Sequence, residues 1–136
     1  MLSRRHLTRL APMAALASAG ANAQEQWPTK LVRVLVGSAA GSSVDTPVRA
    51  VCARLSDRFG VPFVVDNKVG AAGTIAAMEA VRAPADGYTL LIGTNGELVN
   101  GYFLWRNSGR TFPYDPVKDF KPVALVQRGA GLLVVR

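Results

Sequence analysis

Three short apolar runs, each followed by a loop rich in glycine or serine and separated by helical patterns, constrain this chain more than any other feature. The first run, residues 31–36, opens into Gly37, Ser38, Ala39, Ala40, Gly41, Ser42 and Ser43. A helix is expected next. Asp45 or Thr46 can cap it, Pro47 suits its first turn, and Val48, Val51, Cys52, Leu55 and Phe59 recur at spacings of three and four until Gly60 stops it. Residues 61–66 read as a second strand, and Gly70-Ala71-Ala72-Gly73 leads through Thr74 into a second helix ending near Arg82. Residues 88–93 form a third buried strand. Strand, helix, strand, helix, strand predicts a mostly parallel sheet flanked by helices, an α/β sandwich with right-handed crossovers.

In open α/β sheets a ligand lies at the carboxyl ends of the strands, which is where the loops 37–43, 67–74 and 93–96 fall. Two of these loops run into helix starts, where unpaired backbone N–H groups and the positive end of the helix dipole favour an anion. A carboxylate or phosphate ligand follows. Nucleotide motifs do not. Gly37 and Gly41 are followed by no Gly-Lys-Ser/Thr, Gly70-x-x-Gly73 lacks the G-x-G-x-x-G pattern, and Gly37-Ser38-Ala39-Ala40-Gly41 is not a G-x-S-x-G nucleophile elbow.

Composition narrows the function classes further. With 136 residues, 49% hydrophobic and 18% charged, the chain is at most one small globular domain. Its first residues read as an export leader. Arg4 and Arg5 form a charged start, residues 7–20 are mildly apolar and alanine-rich, and Ala21-Asn22-Ala23 supplies small residues for cleavage before Gln24. Pro12 and the short length argue against a permanent anchor. The paired arginines suit twin-arginine or Sec export, and either route places the product in the periplasm. The formal charge of +7 owes Arg4, Arg5 and Arg9 to this leader; the remaining 13 basic and 9 acidic residues form no basic block, so nucleic acid is not an expected partner. His6, the only histidine, also lies in the leader, and Cys52 is the only cysteine. A Ser-His-Asp or Cys-His centre, a Cys/His metal site and an internal disulfide are thereby excluded, and no catalytic residues, metal or cofactor are expected.

Three further motifs carry a resemblance. Ala85-Asp86-Gly87-Tyr88-Thr89-Leu90-Leu91, Val65-Asp66-Asn67-Lys68-Val69-Gly70-Ala71-Ala72-Gly73, and Tyr114-Asp115-Pro116-Val117-Lys118-Asp119-Phe120-Lys121-Pro122-Val123, in that spacing, resemble the Bug-type periplasmic solute-binding proteins of tripartite tricarboxylate transporters. The resemblance implies a type II periplasmic-binding-protein fold of two lobes that closes on a small carboxylate and delivers it to a membrane permease, the receptor being otherwise monomeric. Family members are about twice as long or more. On this reading residues 24–127 are the first part of lobe one and residues 128–136 begin the crossover toward a second lobe, so that the chain is an amino-terminal fragment. The first loop departs from the family's Pro-Phe-x-x-Gly-Gly-x-x-Asp, whereas Gly93-Thr94-Asn95-Gly96 is similar to its ligand-facing loop.

The expected ligand-binding residues are Gly41, Ser42, Ser43, Asp45, Thr94, Asn95 and Gly96. Thr94 and Asn95 have the strongest case, as polar side chains at the carboxyl end of a buried strand. Asp45 reads first as a helix cap, because a carboxylate beside an anionic substrate repels it. Cys52 belongs to the core, Asp86-Gly87 to a turn, Tyr114 and Phe120 to a loop packed over the sheet, and Lys118 and Lys121 to a solvated face. Two alternatives stand beside the receptor: a truncated remnant of one, and a small secreted enzyme using carboxylates such as Asp45 and Asp115.

Overall fold

The computed structural model describes residues 26–109 and 111–129. The expected leader with its cleavage point and residues 130–136 lie outside the described residues. Three strands, β1 (Val32–Val36), β2 (Phe63–Asn67) and β3 (Thr89–Ile92), alternate with α1 (Asp45–Phe59) and α2 (Thr74–Arg82), and α3 (Gly101–Asn107) follows β3. Their sequence order is the expected one. The strand order in space, β2-β1-β3 with both pairings parallel, places the first strand in the middle.

That position explains the composition of β1. A central strand is covered on both faces, so it carries an almost unbroken apolar run, and Val32, Val34, Leu35 and Val36 are all buried. Val32, Val34 and Val36 form one face with Phe63, Val65, Leu90 and Ile92, and α1 closes over it with Val48 and Cys52. The opposite face meets α2, whose Ala76 and Ala77 are fully buried. Here Arg33 reaches Asp66 at 2.7 Å and Glu79 at 2.6 Å, joining β1, β2 and α2, while Lys68 lies within 3.5 Å of the same two carboxylates. Arg33 holds both carboxyl groups below their usual range.

The termini of α1 show what its stop and start signals do. Gly60 takes the left-handed conformation (φ 70°) and its N–H bonds Ser56 O, which ends the helix as glycine commonly does. At the other end the cap differs from expectation. Val44 occupies the cap position, Asp45 is already helical, and the hydroxyl of Ser42 accepts the Asp45 N–H at 3.2 Å.

Two aromatic clusters sit at opposite ends of the sheet. Trp27 packs against Phe59, Phe63 and Tyr88 below the strands. Tyr102, Phe112, Tyr114 and Phe120 stack edge to face where α3 meets the following loop. The apolar sheet face that α1 leaves uncovered is an open cleft of about 660 Å³, bounded by Val51, Leu55, Leu90, Ile92, Leu98 and Val117. Val51, from the predicted helix stripe, is 42% exposed there, and Val117 is 84% exposed.

Candidate ligand-binding site

The order β2-β1-β3 means that the crossover from β1 to β2 and the crossover from β2 to β3 run in opposite directions across the sheet, the second passing β1. Such a reversal opens a crevice beyond the carboxyl ends of β1 and β3. Two groups of residues meet this edge.

The first is built on Asp45. Its side chain is 1% exposed. Oδ2 accepts the Gly41 N–H and the Arg49 Nε–H, each at 2.8 Å, and Oδ1 accepts the Asn67 amide at 2.8 Å. Asn67 also donates to Ser38 O at 2.9 Å and receives Arg49 at 2.7 Å. The Arg49 guanidinium, Asn67 and the Gly41 N–H hold the Asp45 carboxyl far below the usual range. Asp45 therefore fastens the loop after β1 to the end of β2. Ser42 and Ser38 share a hydroxyl contact at 3.0 Å in the same loop.

The second group is built on Glu97, which sequence reasoning missed. Glu97 is 1% exposed, and the Thr94 hydroxyl donates to its Oε2. The same hydroxyl oxygen accepts the Gly96 N–H at 3.1 Å, and Tyr114 Oη donates to the Glu97 carbonyl at 2.7 Å. Burial raises the Tyr114 phenol above its ordinary pKa and so keeps it a donor. Room for the carboxylate comes from two glycines: a Cβ on Gly37 would lie 3.1 Å from Glu97 Oε1, and one on Gly73 would lie 2.8 Å from its Cδ. Gly37 and Gly73 also touch each other so closely that a Cβ on Gly37 would fall 2.7 Å from Gly73 Cα. All three expected loops thus meet at Glu97. The signal that could have found it is Thr94-x-x-Glu97, a capping-box spacing just before a helical turn; a π-turn over Gly96–Asn100 does begin there.

The loop before α2 is strained at this junction. Ala71 (φ 46°) and Ala72 (φ 53°) are left-handed, ahead of Gly73 at φ 89°. Left-handed non-glycine residues cost about 1–3 kcal/mol each and cluster at functional sites.

The seven expected ligand residues therefore divide. Gly41, Ser42 and Asp45 are gathered around Asn67 and Arg49, whereas Thr94 and Gly96 are gathered around Glu97. The Gly41 and Gly96 N–H groups and the Thr94 hydroxyl already bond within the chain. Ser43 and Asn95 are exposed, and among the described residues no hydrogen bond engages their side chains. No group of three or more His, Cys, Asp or Glu that could hold a metal occurs among the described residues. None of the described helices is long and apolar enough to cross a membrane.

Comparison with known proteins agrees with this architecture. The family model described as the tripartite tricarboxylate transporter family receptor matches residues 48–136. A UPF0065 protein of Bordetella bronchiseptica is 42% identical over 117 residues, covering 86% of this chain and 34% of that protein. MatC from Rhodopseudomonas palustris, solved with bound malate, superposes with a TM-score of 0.66 at 36% identity, over 73% of this chain and 32% of its own. A second R. palustris protein, solved with adipate, gives a TM-score of 0.56 at 41% identity, over 67% and 29% respectively. The chain thus spans about a third of the length of the curated relatives it matches, and its fold is the α/β lobe of a type II periplasmic binding protein. Motifs, sheet order and converging loops lead to one assignment: this chain belongs to the tripartite tricarboxylate transporter receptor family.

Proposed function

We propose that residues 24–127 are the first part of lobe one of an exported, periplasmic solute receptor, which captures a small carboxylate and hands it to the permease of a tripartite tricarboxylate-type transporter. The observation that carries this reading is the meeting of three glycine-rich loops at the switch point of a parallel sheet, in a chain of a receptor family whose relatives were solved with malate and adipate. Capture needs two walls. Relatives about two and a half times as long have enough further chain for a second lobe, and the apolar cleft beside α1 fits further chain packing against it. An enzyme reading finds no support, because Asp45 is tied to Arg49 and Asn67, and Asp115 is bonded by backbone N–H groups of its own turn.

In this site Ser43 and Asn95 offer side-chain donors, and Thr94 and Ser42 shape the two loops that face the ligand. Calorimetry on the whole receptor, with a panel of small mono- and dicarboxylates with and without amino groups, tests the proposal. Removing a hydrogen bond to a charged group costs about 1.5–3 kcal/mol, or roughly ten- to a hundredfold in affinity. Ser43→Ala and Asn95→Ala are expected to weaken binding on that scale, and Lys118→Ala, 83% exposed at its side chain, to leave it unchanged. A panel without any bound member, or two silent loop variants, overturns the assignment.

A further inference from the structure

One wall of the proposed site, the loop of residues 37–43, contains only glycine, serine and alanine. It carries no large apolar side chain with which to anchor itself, and Ala39, Ala40, Gly41 and Ser43 are exposed. Its shape therefore rests on hydrogen bonds. Within the loop and toward the first turn of α1 run Ser42 N–H to Ala39 O, the contact between the Ser38 and Ser42 hydroxyls, Gly41 N–H to Asp45 and Thr46 N–H to Ser42 O. Among the described residues, one side chain from another element crosses to hydrogen-bond the loop. Asn67 is the last residue of β2 and lies in register with Val36, the last of β1. Its Nδ2 donates to Ser38 O at 2.9 Å, near the start of the loop, and to Asp45 Oδ1 at 2.8 Å, just past its end. Its Oδ1 accepts Arg49 Nη2–H at 2.7 Å. A single amide thus clips both ends of the loop to the sheet.

We propose that Asn67 is a positioning residue for ligand capture: by tying Ser38 O and Asp45 together it holds the loop in its binding shape before the ligand arrives. A loop ordered for only part of the time lowers apparent affinity by the fraction of time it is competent. Ordering free backbone at the moment of binding carries an entropy cost that a pre-formed loop avoids. The amide is chemically matched to the task. Ser38 O and Asp45 Oδ1 each need a donor and Arg49 needs an acceptor, and asparagine supplies all three, whereas aspartate, of the same shape, offers no donor when ionised. The inference rests on the carboxylate-receptor reading and adds to it a residue that acts through the loop.

A swap of the two partners, Asn67→Asp combined with Asp45→Asn, isolates the tie to Ser38. It conserves shape and net charge, and it lets position 45 donate to position 67 while Arg49 still meets a carboxylate. The contact with Ser38 O, however, becomes one of two facing acceptors. The swap, Asn67→Ala and Ser56→Ala are compared in the whole receptor by urea unfolding, by calorimetry with malate and adipate, and by amide hydrogen exchange. Both Asn67 variants are expected to bind about tenfold or more weakly than the native receptor, with faster hydrogen exchange confined to residues 38–43. The swap should stay closer to native stability than Asn67→Ala does. Ser56→Ala removes the hydroxyl that accepts the Phe63 N–H at the opposite end of β2, and is expected to lower stability with no change in affinity. A swap or an Asn67→Ala variant that binds as tightly as the native receptor, or an affinity loss matched by Ser56→Ala, overturns this inference and leaves the receptor reading intact. If no member of the wider carboxylate panel binds the native receptor, the receptor reading fails and this inference falls with it.

Discussion

Replacing Gly73 by alanine tests the junction of the three loops directly. Two separable effects are involved. Gly73 lies at φ 89°, where an L-residue pays about 1–2 kcal/mol of backbone strain. Its added Cβ would also fall 2.8–3.0 Å from the carboxyl atoms of Glu97, which the Thr94 hydroxyl holds while Tyr114 bonds the main-chain carbonyl of the same residue. Overpacking of this kind costs about 1–3 kcal/mol. Gly73→Ala is therefore expected to destabilise by about 2–5 kcal/mol. Gly41→Ala is the control, since Gly41 has a similar φ of 78° but nothing within 4 Å of its Cβ position; strain alone predicts about 1–2 kcal/mol. Urea unfolding of the whole receptor, with Glu97→Ala and the double variant completing a cycle, measures the contact itself. Removing the carboxylate should return the overlap part and leave the strain, a favourable coupling of about 1–3 kcal/mol. Equal losses in Gly73→Ala and Gly41→Ala, or strict additivity in the cycle, would refute the packing of Glu97 against Gly73.

Other perturbations follow from the same geometry. Because Arg49, Asn67 and the Gly41 N–H lower the Asp45 pKa in the folded chain, this carboxylate contributes stability that is full above the ordinary carboxylate range, near about pH 4, and is lost as pH falls through the lowered folded value; Asp45→Asn should be less stable at neutral pH, with a gap in denaturation midpoint that narrows in acid. Tyr114→Phe removes the donor to the Glu97 carbonyl and should cost about 1 kcal/mol in chemical denaturation, whereas no loss would mean that the bond adds nothing. Ala72→Gly relieves a left-handed alanine on an exposed turn and should raise the urea midpoint by the equivalent of up to about 1 kcal/mol. Mass spectrometry of the exported protein should find an amino terminus at Gln24 or a near neighbour, and lysine replacement of Arg4 and Arg5 should block export only if the route is the twin-arginine one.

The local signals in the chain were legible because each belongs to one element. The Val48, Cys52 spacing, the Gly60 stop and the Thr74 start depend on periodicity and terminal chemistry, and they set α1 and α2 to within a residue or two. Strand order is a different kind of fact. Nothing local to residues 32–36 says that β1 is central, although its unbroken run of buried valine and leucine is the trace that centrality leaves. The site was legible only as a set of loops. Asp45 passed for a cap because its partners Arg49 and Asn67 come together only in the fold, and Glu97 was missed because its burial depends on two glycines distant in sequence, Gly37 and Gly73.

The most direct measurement is a crystal structure of the whole receptor with its ligand bound. The account predicts ligand density between the loop of residues 37–43 and that of residues 93–97, with a ligand carboxylate within hydrogen-bond reach of Ser43 or Asn95. Density at any other place on this lobe, or a ligand held there without either loop, would contradict it.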